Sequence, residues 1–274
     1  MKRRKYSNHT VKRKNTYRPR RKTSTRIYII LICIFAVFSL IKNPPFSLSR
    51  NAEPGGIRDV PTIGRAISED LDPDEIPDYA GTPSYVINGN KPFFTDEEYA
   101  DAEQTYIDLP ELDYLGRCGC CQASLGKDTL AEEERGDISS VRPSGWHQEM
   151  YPTIISANDG ALYNRCHLLM YAMTGLNAEP RNLITGTAYM NNSGMLPYET
   201  AVQNWIYRHD GRILYRVTPV FKGSELVARG VHIEAGDVSS KGRDFHINVY
   251  CYNVQPGVII DYKTGYSKKD NTRE

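Results

Sequence analysis

The chain of 274 residues lacks several features whose absence narrows what it can be. It has no run of ~18 or more apolar residues, so no segment crosses a bilayer without adjustment. Internal repeats are absent. Acidic residues are missing from residues 1–26, which carry 12 Lys or Arg. Residues 43–104 reverse that balance with 4 basic and 13 acidic residues, and residues 105–266 carry 14 basic and 18 acidic residues. The formal net charge of +1 is therefore a cancellation and points to no class of partner. A zinc-binding cysteine pattern is missing too. The cluster Cys118-Gly119-Cys120-Cys121 has neither the usual gap between ligand pairs nor a histidine at ligand spacing after it.

Residues 27–41 form a stretch of 15 uncharged residues between Arg26 and Lys42. At ~1.5 Å per residue it spans roughly 22 Å against a hydrocarbon core of ~30 Å. Snorkelling of the flanking charges and local thinning absorb the difference. A cleaved signal peptide has an apolar region of similar length, but the small-residue site at Ser47-Leu48-Ser49 is weak and the 26-residue basic arm is long. A buried core helix fits poorly beside 12 positive charges. The reading adopted is an uncleaved transmembrane signal-anchor over 27–42, with the basic arm 1–26 in the cytoplasm and the rest of the chain outside the cell membrane. Cys33 falls in that segment. Cys118, Cys120, Cys121, Cys166 and Cys251 remain for the exported part, an odd number that cannot all pair. A disulfide from the 118–121 cluster to Cys166 or Cys251 is expected, with the partner left open.

Prolines and acids recur through 43–104 with too few apolar residues for a core, which reads as a disordered linker. Within it, Thr95-Asp96-Glu97-Glu98 has the form of a capping box opening a short helix to about Gln104. Residues 105–266 read as one globular domain and 267–274 as a polar tail. In the domain, Thr153-Ile154-Ile155 suits a short strand, Leu168–Met173 a short helix ended by Gly175, and Asn182–Tyr189 an extended stretch. Pro197 opens a helix to Arg208 with Tyr198, Val202, Trp205 and Ile206 on one face. Alternating strands follow over 213–220, 226–234 and 245–252, with turn signals at Asp210-Gly211 and Lys222-Gly223. Antiparallel strands with helices placed before them give an α+β domain.

Asn164-Arg165-Cys166-His167, followed by Asn182, Asn191 and Glu199, brings together the residue types that phosphodiester hydrolysis needs. A phosphodiester resists attack because nucleophile and target are both electron-rich, so a base for water and positive charge on the phosphoryl and leaving oxygens are required. A histidine titrates near neutrality and can be that base. His147, His209, His232 and His246 read as surface or core histidines.

The chain resembles the DNA/RNA non-specific endonucleases, the ββα-metal nucleases that include bacterial DNA-entry nucleases. Asn164-Arg165-Cys166-His167 aligns with that family's Asp-Arg-Gly-His motif, matching at Arg and His. Asn191 and Glu199 have the spacing of its metal-binding Asn and downstream Glu, and Asn182 matches a further Asn nine positions before the metal ligand. Gly145-Trp146-His147-Gln148, Asn182 to Thr187, Tyr189-Met190-Asn191, Gly194 to Pro197 and Tyr215 to Pro219 are similar to the DNA-entry branch, so the resemblance covers about residues 107–262.

The resemblance implies a ββα-metal nuclease fold around a central antiparallel sheet. It implies His167 as general base and one Mg²⁺, with Mn²⁺ able to replace it, held by Asn191; Asn192 is the neighbouring alternative. Glu199 would accept hydrogen bonds from the ion's waters. Asn182 joins the catalytic set. Arg165 would face the scissile phosphate or make an internal salt bridge. Arg135, 30 residues earlier, would contact phosphate or pair with Glu132-Glu133-Glu134. The metal would stabilise the leaving 3′ oxygen and the products would carry 5′ phosphates. Substrates would be DNA and RNA with little sequence preference, because phosphate and metal contacts read no bases. Oligomeric state is left open.

Two rivals from other classes stand beside this reading. The Asn164 and Cys166 replacements suit a catalytically silent nucleic-acid-binding or surface interaction module. Cys166 also suggests a cysteine-dependent hydrolase, which needs a base brought near in space.

Overall fold

The computed structural model describes residue 71 and residues 73–272. The basic arm and the anchor read over 27–42 lie outside the described residues. Among the described residues no helix is long and apolar enough to cross a membrane.

The fold is α+β, built on an antiparallel sheet of six strands. These are β1 (Ser84–Val86), β2 (Tyr106–Asp108), β3 (Cys121–Leu125), β6 (Ile213–Val220), β7 (Gly230–Asp237) and β8 (His246–Tyr252), in the order β1-β8-β7-β6-β3-β2. Between β3 and β6 the chain leaves the sheet to form a separate antiparallel pair, β4 (Tyr163–His167) with β5 (Leu183–Thr187). The short helix α2 (Tyr171–Thr174) lies between those two strands, and the helix α3 (Leu196–Arg208) follows them. A hairpin of β9 (Val258–Ile260) and β10 (Ser267–Lys269) ends the described chain. The residues read as the start of a polar tail therefore pair as a strand.

Side-chain alternation assigns the two faces of the sheet. Ile213, Tyr215 and Val217 of β6, Val231, Ile233 and Ala235 of β7, and Ile247, Val249 and Cys251 of β8 enter one core with Val202 and Ile206 of α3. The intervening residues turn to the opposite face. There Arg216 forms ion pairs with Glu234 at 2.7 Å and Glu98 at 2.6 Å, and His232 hydrogen-bonds Asn248 at 2.6 Å.

That second face corrects the linker boundary. The stretch read as an acidic tether over 43–104 belongs to the fold from at least Leu71 onward. Leu71 and Ile87 pack with Val220, Tyr250 and Tyr252, β1 pairs with β8, and helix α1 (Asp96–Asp101) buries Tyr99 beneath the sheet. The capping box at Thr95 and Glu98 is present. This segment is fastened largely by polar contacts. Phe93 N–H donates to Glu234 at 2.7 Å, Asn90 Nδ2 to the His246 carbonyl at 3.0 Å, and Asn248 Nδ2 to the Lys91 carbonyl at 2.6 Å. Most of its described acids are exposed, and Glu98 reaches a buried partner, Arg216.

Two element expectations fail for local reasons. Thr153-Ile154-Ile155 is a turn, because the Ile154 and Ile155 N–H groups both donate to the Tyr151 carbonyl. The strand expected from Leu226 begins at Gly230, since Leu226 and Val227 both donate to the Tyr262 carbonyl.

The expected disulfide is absent: no bridge joins the five cysteines among the described residues. The Cys118 thiol points to the carbonyls of Pro180 and Leu183, and that of Cys121 to the carbonyls of Gly119 and Arg181. Cys166 and Cys251 are fully buried elsewhere in the core.

Candidate active site

The strand pair and the helix after it form a β4–β5–α3 unit, and its register fixes the site. Arg165 pairs with Thr185 and His167 with Leu183. Alternation sends Arg165 and His167 to one side and Cys166 to the other. The Cys166 thiol fills space left open by Gly186, where an added β-carbon would lie 2.3 Å from the sulfur. Cys166 has no positive φ, so this strand position does not call for glycine. Burial pushes its thiol well above the usual range. A nucleophilic Cys166 is thereby overturned, since the sulfur is inaccessible and held as a thiol.

After β5 the chain enters a π turn over Met190–Met195, with Leu196 N–H donating to the Asn191 carbonyl, and continues into α3. Pro197 explains the widening. It has no N–H to donate to Ser193, and its ring would crowd that carbonyl in a regular α turn. The π turn adds one residue, so Asn191 and Glu199 stand where positions seven apart would in a plain α-helix, two turns along one face.

A cavity of about 690 Å³ lies against this unit, and Arg135, Arg165, His167, Asn191 and Glu199 all line it. Five of the six residues expected to carry function are brought together there. The sixth, Asn182, is fully buried and is not on the cavity wall. Its Oδ1 accepts from Leu169 N–H at 2.8 Å, its Nδ2 donates to the Leu169 carbonyl at 2.9 Å, and its own carbonyl accepts from Leu168 N–H at 2.9 Å. The catalytic assignment of Asn182 is corrected to a positioning one, because it pins the backbone that follows His167.

The His167 ring is 8% exposed and its Nε2 lies 2.8 Å from the Asn177 carbonyl. A carbonyl only accepts, so Nε2 carries the proton and Nδ1 the lone pair in the neutral ring. Burial is the main cause of a lowered pKa; the Arg135 charge adds to it, while the Asn177 and Leu176 backbone groups oppose it. The ring is thus neutral and basic at neutral pH.

Glu199 is 7% exposed, and among the described residues no hydrogen bond or ion pair reaches its carboxyl group. Burial pushes its pKa up to about 8. A buried carboxyl without a partner is costly to ionise unless a cation compensates it. Asn191 presents a half-buried amide on the same wall, its Nδ2 donating to Asn192 Oδ1 at 3.0 Å. Hard oxygen donors, one of them anionic and lacking a counter-charge, suit a divalent ion such as Mg²⁺.

Among the described residues neither arginine makes the ion pair considered as an alternative. Arg165 donates from Nε to the Val141 carbonyl at 2.6 Å and from Nη2 to the Ser139 carbonyl at 2.8 Å, and it stacks over Trp146 at 4.2 Å. Arg135 is exposed, and no salt bridge joins it to Glu132, Glu133 or Glu134 among the described residues. Both guanidinium groups keep N–H donors for an anion in the cavity. Asn164 also lines it and accepts from Asn158 Nδ2 at 2.9 Å.

Two contributors escaped the sequence reading. Asn177 acts through its main-chain carbonyl, which leaves no signature in residue type. Trp146 lies in the Gly145-Trp146-His147-Gln148 block, and that block was the available signal for the ring that flattens Arg165.

Residues 96–239 match the family model described as DNA/RNA non-specific endonuclease. Among solved structures, NucA from Streptococcus agalactiae with magnesium bound is 25% identical with a TM-score of 0.59, covering 68% of this chain and 88% of that one. Sda1 nuclease with bound zinc is 26% identical with a TM-score of 0.51, covering 60% of this chain and 81% of that one. With more than half of its length inside that match, and a β–β–α unit presenting the expected arginine, histidine and asparagine to one cavity, the chain belongs to the DNA/RNA non-specific endonuclease family.

Proposed function

We propose that this nucleic-acid phosphodiester hydrolase works as a Mg²⁺-dependent, sequence-non-specific endonuclease on DNA and RNA, with His167 as its general base. The observation that carries the proposal is the state of His167: neutral, oriented by the Asn177 carbonyl, and on the same cavity wall as Asn191 and Glu199. With its proton on Nε2, the ring takes a proton from water at Nδ1. The resulting oxygen attacks phosphorus and the bond to the 3′ oxygen breaks. The departing 3′ oxygen takes a proton from water to become a hydroxyl, and the fragment on the 3′ side keeps the phosphate on its 5′ oxygen. Arg135 and Arg165 face the phosphoryl oxygens. Asn191 is the residue that would hold the ion directly, and ionised Glu199 would balance its charge. A bound Mg²⁺, or Mn²⁺ in its place, supplies positive charge to the phosphoryl and leaving oxygens. Asn164 keeps the hydrogen-bonding role of the family's Asp without its charge. We place the domain outside the cell membrane, tethered through residues 27–42, on the pattern of the sequence alone.

The test is nicking of supercoiled plasmid by the full-length protein with Mg²⁺ or with EDTA. Wild type nicks with Mg²⁺ and is silent with EDTA; thiol alkylation leaves nicking intact. His167→Ala abolishes nicking while the protein stays folded. Asn191→Ala lowers the rate, and additional Mg²⁺ recovers part of the loss. Failure of wild type to nick with either Mg²⁺ or Mn²⁺ would favour the silent binding module.

A further inference from the structure

The domain is net acidic, yet a nucleic-acid enzyme needs a cationic surface for the strand on either side of the scissile bond. Residues 263–269 carry three lysines and no acid, and they lie beyond the 96–239 stretch that matches the family. The turn between β9 and β10 is joined directly to the cavity wall. Tyr163, which lines the cavity, donates its hydroxyl to the Gly265 carbonyl at 3.0 Å. The Gly265 backbone lies so close to Gly145 that a β-carbon would overlap the Gly145 carbonyl oxygen. On this junction the ring of His147, between the cavity residues Trp146 and Gln148, stacks on that of Tyr266 with centroids 4.1 Å apart and planes 24° from parallel. Tyr266 is 57% exposed, far more than an aromatic ring kept for packing.

Lys263, Lys268 and Arg142 are exposed, and none forms a salt bridge among the described residues. Asp261, the acid of the turn, is engaged by its own loop, accepting from Lys263 N–H at 3.0 Å and Thr264 Oγ1 at 2.6 Å. An aromatic platform flanked by lysines is the arrangement that holds single-stranded nucleic acid, because every base has a π face and every linkage a charge.

We propose that the β9–β10 turn, with His147 and Arg142, is a second nucleic-acid contact. An unpaired base next to the scissile linkage stacks on Tyr266, and Lys263, Lys268 and Arg142 hold the adjoining phosphates. The inference rests on the nuclease reading of the cavity, and it adds a preference for substrates with unpaired bases.

The experiment measures binding of a fluorescent single-stranded oligodeoxynucleotide to the full-length protein by anisotropy in EDTA, across a salt series. Tyr266→Ala weakens binding by about tenfold, while Tyr266→Trp, which keeps a ring, restores it. Lys263→Ala/Lys268→Ala lowers the slope of log affinity against log salt by about 1.4, the amount for two single-strand phosphate contacts. A blunt duplex responds less to Tyr266→Ala than the single strand does. Wild-type affinity and salt slope in both variants overturn the proposal, whatever is found for cleavage. Binding that these variants lose, in a wild type that never cuts, upholds this surface and refutes the hydrolytic reading.

Discussion

Replacing Glu199 by Gln removes a carboxyl group that the fold buries without a partner, and the stability change it should cause can be worked out. Ordinary glutamate has a pKa of 4.5, and burial raises that of Glu199 to about 8. The folded state therefore keeps this proton to a higher pH than the unfolded state, so stability falls as pH rises from 4.5 towards 8. At ~1.4 kcal/mol per pKa unit the whole span is worth about 5 kcal/mol, of which about 3 kcal/mol is already lost at pH 7. Glutamine has nothing to ionise and is free of that loss. For a domain of this size 1 kcal/mol moves the melting temperature by roughly 2–4 °C. In EDTA, melting temperatures of wild type and Glu199→Gln should be close at pH 5 and separate to roughly 6–12 °C by pH 7, the variant being the more stable. Groups that titrate in both proteins cancel in the difference. Millimolar Mg²⁺ should narrow the gap at pH 8 by stabilising wild type alone, because an ion that binds the folded state adds its binding energy to stability. Catalysis should be lost in the variant under all these conditions. Parallel melting curves across pH in EDTA would refute an uncompensated carboxyl at this position. A gap that Mg²⁺ leaves unchanged would refute its partnership with a metal.

The lowered pKa of His167 makes the ring lose its proton at a lower pH than free imidazole. The acidic limb of kcat/KM should therefore fall below pH 6.5, the ordinary histidine value, and a limb above 6.5 would contradict the buried, neutral ring. Asn182→Ala should remove two side-chain bonds to Leu169 and cost about 1–3 kcal/mol in chemical unfolding. It should also lower kcat more than KM, while Asn182→Asp retains one of those bonds and part of the rate; equal stability in wild type and Asn182→Ala would defeat the positioning role. Glu98→Gln should destabilise by about 1.5–3 kcal/mol, because Arg216, 6% exposed, loses one of its two carboxylate partners and keeps Glu234. A loss under about 1 kcal/mol would return residues 90–104 to the status of a loosely attached linker.

The strands that could be read from the sequence are those whose two faces differ in chemistry. β6, β7 and β8 alternate between the apolar core and the polar face, and period-two patterning detects that directly. β1 escaped, and α1, although its capping box announced the helix, was not tied to the domain, because much of this segment docks through charge and amide contacts. A pattern built on hydrophobicity is blind to Glu98 and Asn90, although each is tied to a residue more than 100 positions away. β3 shows a third case. Cys121, Ala123 and Leu125 face the core, but Ser124 between them is buried too, so the alternation is too weak to announce a strand.

The site divides the same way. His167, Arg165, Asn191 and Glu199 reach the cavity through side chains, so residue type and spacing bring them into view. Asn177 meets the His167 ring through a carbonyl that any residue would carry, and Asn182 lies behind the wall. From the sequence it could not be separated from residues that touch substrate. The two departures from the family motif also become intelligible only in three dimensions. Cys166 is accommodated because Gly186, with no side chain, leaves room for its sulfur, and Asn164 because Asn158 donates to its oxygen. With both residues in place β4 pairs with β5 in continuous register, and Arg165 and His167 emerge on the cavity side. What Asn164 does alter is the charge beside the substrate. An Asn in place of Asp removes one negative charge from a cavity that must admit a polyanion, which suits a domain whose overall balance is acidic.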